Sequence, residues 1–261
     1  MIIEANGIRM NYELSGAHDA PTVMLSHSLG CRLDMWDAQV PALESRFRVL
    51  RYDTRGHGAT DAPEGPYTMA LLGQDALSLM EGLGIHEVHW IGLSMGGMIG
   101  QYIALNHAHR FKSMVLCDTA AVMPKENQPL WDERIDTARQ KGMEALVEAT
   151  MERWFTRSFL DSRSPEVDRI RAQFLSTPVT GYIGCSEAIR RIDFLDRLSQ
   201  INLPTLVMVG AEDPATPVEA ARAIQERIPD AGLVVLPSAA HLSNIEQSEA
   251  FSASLLQFMQ P

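Results

Sequence analysis

Short apolar runs alternate with stretches of helical spacing through the first half of the chain, and this alternation restricts the possible folds more than any other feature. Residues 8–14 have a strand's period of two, and 22–27 (TVMLSH), 47–53 (FRVLRYD), 88–92 (VHWIG) and 112–117 (KSMVLC) read as further strands. Between them, 33–44, 69–83 and 95–107 place apolar residues three and four apart, the spacing of a helix with one buried face. Strands separated by helices imply βαβ units, and hence an α/β fold with a mostly parallel sheet flanked by helices.

The texture changes after Thr119. From 121 to 200 there is little strand pattern and much amphipathic helix, as at 130–140, 143–155 and 167–175. A buried strand then returns at 204–210 (PTLVMVG), followed by a helix at 218–228, a strand at 232–236 and a closing helix at 246–259. This order predicts a core made of residues 1–119 and 201–261, interrupted by a helical cap at 120–200. A chain of 261 residues is long enough to bury such a core. Residues 121–200 carry 12 basic against 13 acidic side chains, whereas the remainder carries 10 against 20. The insertion is therefore the less repulsive surface for an anionic ligand.

The formal charge of −11 and the lack of any Lys/Arg block argue against binding a phosphate backbone, so no nucleic-acid partner is expected. Cys31, Cys117 and Cys185 are odd in number and widely spaced, which supports neither a disulfide framework nor a metal site. No stretch approaches 18 apolar residues, and the first residues lack the basic and apolar regions of a secretion signal. A cytoplasmic protein with no membrane partner is expected. The oligomeric state is not legible.

Gly92-Leu93-Ser94-Met95-Gly96 is a G-x-S-x-G motif, placed where the strand VHWIG must turn sharply into the helix MGGMIGQYIAL. Such a turn presents the Ser94 hydroxyl above the sheet edge, ahead of a helix N-terminus that favours developing negative charge. A serine nucleophile needs a base, and the base needs an orienting acid. His241 follows the strand at 232–236 across a short turn, and Asp213 follows the strand at 204–210 in GAEDPATP, so both belong to the sheet edge that presents Ser94. Glu212 and Asp118 compete with Asp213 for the acid role. His57, in RGHG, precedes Ser94 in the chain and reads as a structural turn residue. Backbone N–H groups of Leu29, in the loop after TVMLSH, and of Met95 are the candidate oxyanion donors.

These pieces together (HSLG, YDTRGHG, GLSMGG, GAEDPATP and AAHLSNIEQ) resemble the α/β-hydrolase superfamily over the whole chain, and the order Ser94, Asp213, His241 is the order of its triad. The closer resemblance is to bacterial 3-oxoadipate enol-lactonases of the β-ketoadipate pathway. It is carried by Ser28-Leu29-Gly30 with Met35-Trp36-Asp37, by GLSMGG, by Arg153-Trp154-Phe155-Thr156, by Gly181-Tyr182 with Cys185, and by AAHLSNIEQ. Ser28 stands where many other α/β-hydrolases place Gly, and Glu212 departs from that family's usual residue before the acid. The resemblance implies hydrolysis of an anionic lactone with no metal or organic cofactor, with Ser28 beside the substrate. A buried substrate carboxylate needs compensation, for which Arg153, Arg190 and Arg191 are the candidates. Trp154 is a candidate wall for the ring, while Trp36, Trp90 and Trp131 read as packing residues. A carboxylesterase, a C–C bond hydrolase and a non-turnover binding protein on the same scaffold are the alternatives.

Overall fold

Asn6 and Gly7, with φ of 48° and 74°, form the tight turn that joins β1 (Ile2–Ala5) to β2 (Ile8–Ser15). Both central residues of such a two-residue turn need positive φ, which Asn and Gly tolerate best. The computed structural model describes residues 1–260. Its further strands are β3 (Thr22–Ser26), β4 (Arg48–Tyr52), β5 (Val88–Leu93), β6 (Phe111–Cys117), β7 (Thr205–Gly210) and β8 (Gly232–Leu236). They form one sheet in the order β1-β2-β4-β3-β5-β6-β7-β8. β1 and β2 pair antiparallel with their neighbours, and every pairing from β4 to β8 is parallel.

The helices are α1 (Val40–Glu44), α2 (Met69–Gly82), α3 (Met95–His107), α4 (Gln128–Lys141), α5 (Val147–Trp154), α6 (Arg157–Asp161), α7 (Pro165–Ser176), α8 (Val179–Ile189), α9 (Val218–Arg227), α10 (Ser243–Glu246) and α11 (Ser248–Phe258). α4 to α8 fill the connection between β6 and β7. β7 is buried at every residue, and so is β3 after Thr22, as expected of strands covered on both faces. Trp90 on β5 stacks on Phe111 at 5.3 Å between ring centres. Among the described residues no helix is long and apolar enough to cross a membrane.

Two expected helices are broken. Residues 33–44 divide into a 3-10 turn, Leu33–Trp36, and α1, which begins next to Pro41. Between them the fully buried Gln39 donates to the Asn244 carbonyl at 2.8 Å and accepts from Asn244 Nδ2 at 3.1 Å. Residues 143–155 divide likewise into a 3-10 turn, Met143–Ala145, and α5, while the closing helix begins at Ser248, after Gln247 (φ −122°, ψ 46°) separates it from α10.

The parallel register aligns the strand ends. Ser26 pairs with Gly92, Leu93 with Cys117, Cys117 with Met208 and Gly210 with Leu236. The loops that follow β3, β5, β6, β7 and β8 therefore leave the sheet at a single edge, where α/β sheets carry their sites.

Candidate active site

Ser94 has φ +54° and ψ −112°, a backbone conformation unfavourable for any residue with a side chain. The surrounding structure holds it there. Its N–H donates to the Cys117 carbonyl at 2.8 Å, and its carbonyl accepts the Thr119 hydroxyl at 2.7 Å. The turn closes only because two neighbours lack side chains: a Cβ on Gly92 would stand 2.2 Å from the Gly96 carbonyl oxygen, and one on Gly96 would stand 2.1 Å from that of Ser26. β5 and α3 thereby pack against the end of β3.

The raised hydroxyl meets His241. Ser94 Oγ is 2.9 Å from His241 Nε2, and His241 Nδ1 is 2.8 Å from Asp213 Oδ2. All three residues are buried. Burial would raise the Asp213 carboxyl, but the His241 ring beside it and hydrogen bonds from His241 and Thr216 bring it below its ordinary value. Thr216 donates its hydroxyl to Oδ2 at 2.7 Å and its N–H to Oδ1 at 3.1 Å, while Ala215 N–H adds 2.7 Å to Oδ1. Thr216 escapes a reading of sequence alone, although its place three residues after the acid is the available signal. The side chain of Glu212 is exposed and its N–H is bonded to Ala239. Asp118 is fully buried and accepts from Gly210 N–H at 2.8 Å and Ser243 Oγ at 2.5 Å, so its oxygens are engaged elsewhere.

The loop after β3 is braced by two histidines. Thr54 N–H donates to His27 Nε2 and Gly30 N–H to His57 Nε2, both at 2.9 Å. Each ring must therefore carry its proton on Nδ1, which faces the Ser28 carbonyl at 2.8 Å and the Arg55 carbonyl at 3.2 Å respectively. Burial pushes both rings toward the neutral form, His57 down to about 3 with the nearby His27 contributing. Leu29 and Met95 are buried, and among the described residues neither N–H has a protein acceptor. The Ser28 hydroxyl is likewise buried without a partner.

A cavity of about 230 Å³ opens beside Ser94 and His241, bounded below by Ser28 and Leu29 and on the insertion side by Trp131, Arg134, Arg153 and Trp154. Trp154 meets Phe174 edge-on at 5.7 Å. Arg153 lines the cavity, and Arg190 and Arg191 do not. Arg190 is paired with Asp132 and Glu187, and Arg191 with Glu187 at 2.8 Å, and none of these residues borders the cavity. Those two expectations are corrected: their charges are already satisfied by nearby helix carboxylates.

Arg134, which the sequence alone does not single out, also lines the cavity. Its guanidinium stands 5.1 Å from the ring centre of Trp131, which packs in the core as expected and also borders the cavity. Among the described residues neither Arg134 nor Arg153 has a carboxylate partner. Burial lowers both, Arg153 to about 10 with the Arg134 charge adding to the effect. Two part-buried cations without a carboxylate partner thus border one cavity, an arrangement that is costly unless a counter-charge is supplied. Among the described residues no cluster of His, Cys, Asp and Glu suits a metal ion.

A strained serine at the end of β5, a histidine after β8 and an acid after β7 are arranged as in one large class of enzymes, and the chain belongs to it: a family model for the alpha/beta hydrolase fold matches residues 21–248. Within that class the chain is 34% identical to 3-oxoadipate enol-lactonase 2 of Acinetobacter baylyi, covering 96% of this chain and 92% of that protein. The crystal structure of the enol-lactonase from Burkholderia xenovorans LB400 superposes with a TM-score of 0.96 at 39% identity, covering 99% of each chain. A putative carbamate hydrolase, RutD, from a Caulobacter species is 30% identical over 93% of this chain and 92% of its own.

Proposed function

We propose that the chain hydrolyses 3-oxoadipate enol-lactone to 3-oxoadipate, in aromatic-compound catabolism, with residues 120–200 as a cap over the site. The observation that carries this reading is one cavity that joins the Ser94–His241–Asp213 line to the unpaired cations Arg134 and Arg153. The enol-lactonase relatives support it.

In this reading Ser94 Oγ attacks the lactone carbonyl carbon while its proton passes to His241 Nε2. Asp213 holds the ring in position and stabilises its charged form. The carbonyl oxygen, now negative, accepts the N–H groups of Leu29 and Met95. Collapse breaks the bond to the ring's enol oxygen, which takes the proton from His241, and the enol tautomerises to the ketone. Water then gives a proton to His241 and attacks the acyl carbon. Cleavage of the Ser94 Oγ–carbon bond returns that proton to Ser94. One water has been added and the ring opened. The residual carboxylate lies between Arg134 and Arg153, Trp131 and Trp154 flank the ring, and the Ser28 hydroxyl is a further polar contact. The reading calls for no metal or organic cofactor.

The test is the loss of ultraviolet absorbance when the purified protein meets the enol-lactone, beside Ser94→Ala. Turnover well above the spontaneous rate, abolished in the variant, is expected. No turnover would discard the lactonase assignment. The RutD relative makes a carbamate the second reading, and a higher kcat/KM on a carbamate than on the lactone would favour it. Equal turnover of simple esters and the lactone would favour a carboxylesterase, turnover of ring-fission products a C–C bond hydrolase, and tight binding without turnover a receptor.

A further inference from the structure

Two segments far apart in sequence, residues 154–156 and 240–246, are bonded to each other on both sides of His241. Leu242 donates its N–H to the Trp154 carbonyl at 3.0 Å. The Glu246 carboxylate gathers three donors: Oε1 accepts the Thr156 N–H at 2.9 Å and the Thr156 hydroxyl at 2.6 Å, and Oε2 accepts the Ala240 N–H at 2.6 Å. Of the two neighbours of His241 in the chain, Leu242 is thus fastened to Trp154, the last residue of α5, and Ala240, through Glu246, to Thr156, two residues further on at the start of α6. The ring itself bonds to Ser94, Asp213 and Thr216.

Glu246 is not half of an ion pair among the described residues, and burial raises its carboxyl above the ordinary range. A carboxylate suits the position because both oxygens must accept. Glutamine has one acceptor and one donor end, so satisfying Thr156 would set its amide against the Ala240 N–H, and turning it would do the reverse. The same end of α5 carries Arg153 and Trp154 into the cavity.

We infer that Glu246 is a positioning residue that makes the placement of His241 depend on the placement of the α5 end, so that the wall receiving the substrate also holds the base in line. This rests on the reading of Ser94 and His241 as nucleophile and base. Misplacement of a reacting group by about 1 Å can cost ~100-fold in rate, so a loosened loop should act on kcat more than on KM.

The experiment compares wild type with Glu246→Ala, Glu246→Gln, Thr156→Ala, Thr156→Ser and the Thr156→Ala/Glu246→Ala pair. It measures kcat and KM on the lactone and on a neutral aryl ester, and the low-field proton resonance of the His241 Nδ1–Asp213 hydrogen bond. Glu246→Ala is expected to lower kcat by ~10- to 100-fold on both substrates, leave KM within ~2-fold and broaden the resonance. Glu246→Gln should follow it, Thr156→Ala should lose less, Thr156→Ser should keep wild-type values, and the pair should be no worse than Glu246→Ala alone. A folded Glu246→Ala with kcat within ~2-fold of wild type and a sharp resonance would overturn the inference, as would a loss confined to KM. Should Glu246→Ala fail to fold, Thr156→Ala against Thr156→Ser decides it, and identical kcat and resonance in those two would overturn it. Turnover persisting in Ser94→Ala would instead sink the nucleophile assignment, while the resonance, which needs no turnover, would still report on Glu246.

Discussion

His57 Nε2 accepts the N–H of Gly30 at 2.9 Å, so a ring from the loop after β4 fixes the loop after β3 that carries Ser28 and Leu29. The bond requires a neutral ring, because protonation would turn its only acceptor into a donor. His57→Ala leaves a buried N–H unpaired and should cost about 1–3 kcal/mol of stability. Activity should fall with it, since the Leu29 N–H is then less firmly aimed. Thermal unfolding together with kcat on the lactone checks both effects.

The same ring sets a pH dependence. Its folded pKa is about 3, below the ordinary histidine value, so the unfolded chain binds the extra proton between the two. Its contribution to stability is full above the unfolded pKa of about 6.5 and is lost as pH falls from there toward 3, at up to about 1.4 kcal/mol per pH unit. His57→Gln, which removes the titrating group but keeps an acceptor, should show a shallower fall in Tm between pH 6.5 and 4 than wild type. Parallel curves would exclude His57 as a source of acid sensitivity.

Asp213, rather than its neighbour, contacts the His241 ring. Asp213→Asn should lower kcat by about 10⁴-fold while the fold persists. Glu212→Gln, at an exposed side chain, should stay within about 2-fold. Steady-state rates on one ester substrate separate the two.

The anion-receiving role proposed for Arg134 and Arg153 predicts a selective loss. Arg134→Ala and Arg153→Ala should each lower kcat/KM on the anionic lactone by about 10- to 100-fold, an amount typical of charged hydrogen bonds, and on a neutral ester by far less. Arg190→Ala and Arg191→Ala should leave both ratios near wild type, because those guanidinium groups are paired with Glu187 away from the cavity. Equal losses on charged and neutral substrates would remove the carboxylate assignment.

Gly181 on α8 lies against Gly56, where an added Cβ would stand 2.0 Å from the Gly56 carbonyl oxygen. Gly181→Ala must push α8 away from the loop that contains His57. It should cost about 1–3 kcal/mol and lower Tm by several degrees, as calorimetry would show.

How much of this was legible depended on whether a residue's partners lie in a local pattern. The strands β3 to β8 announce themselves because each contains a short apolar run between helical patterns, and Ser94 because the glycines that its turn requires are its own neighbours. β1 escapes notice: IIEA is too short to display a period, although Asn6-Gly7 marks the turn after it. The break at Gln39 follows from a contact with Asn244, 205 residues away, which no window along the chain can reveal. Arg134 and Arg190 differ for the same reason. Both stand on or at the end of helices with acids nearby, and only the packing of α4 against α8 decides which cation faces the cavity and which finds Asp132.

The central claim is that Ser94 opens an anionic lactone, and rapid-quench mass spectrometry of the protein mixed with the enol-lactone tests it most directly. Ring opening retains the leaving group, so the transient acyl-enzyme should be heavier by the whole lactone, with the added mass on the peptide that contains Ser94 and absent from Ser94→Ala. Rapid turnover with no such adduct, or with undiminished turnover in Ser94→Ala, would contradict the account.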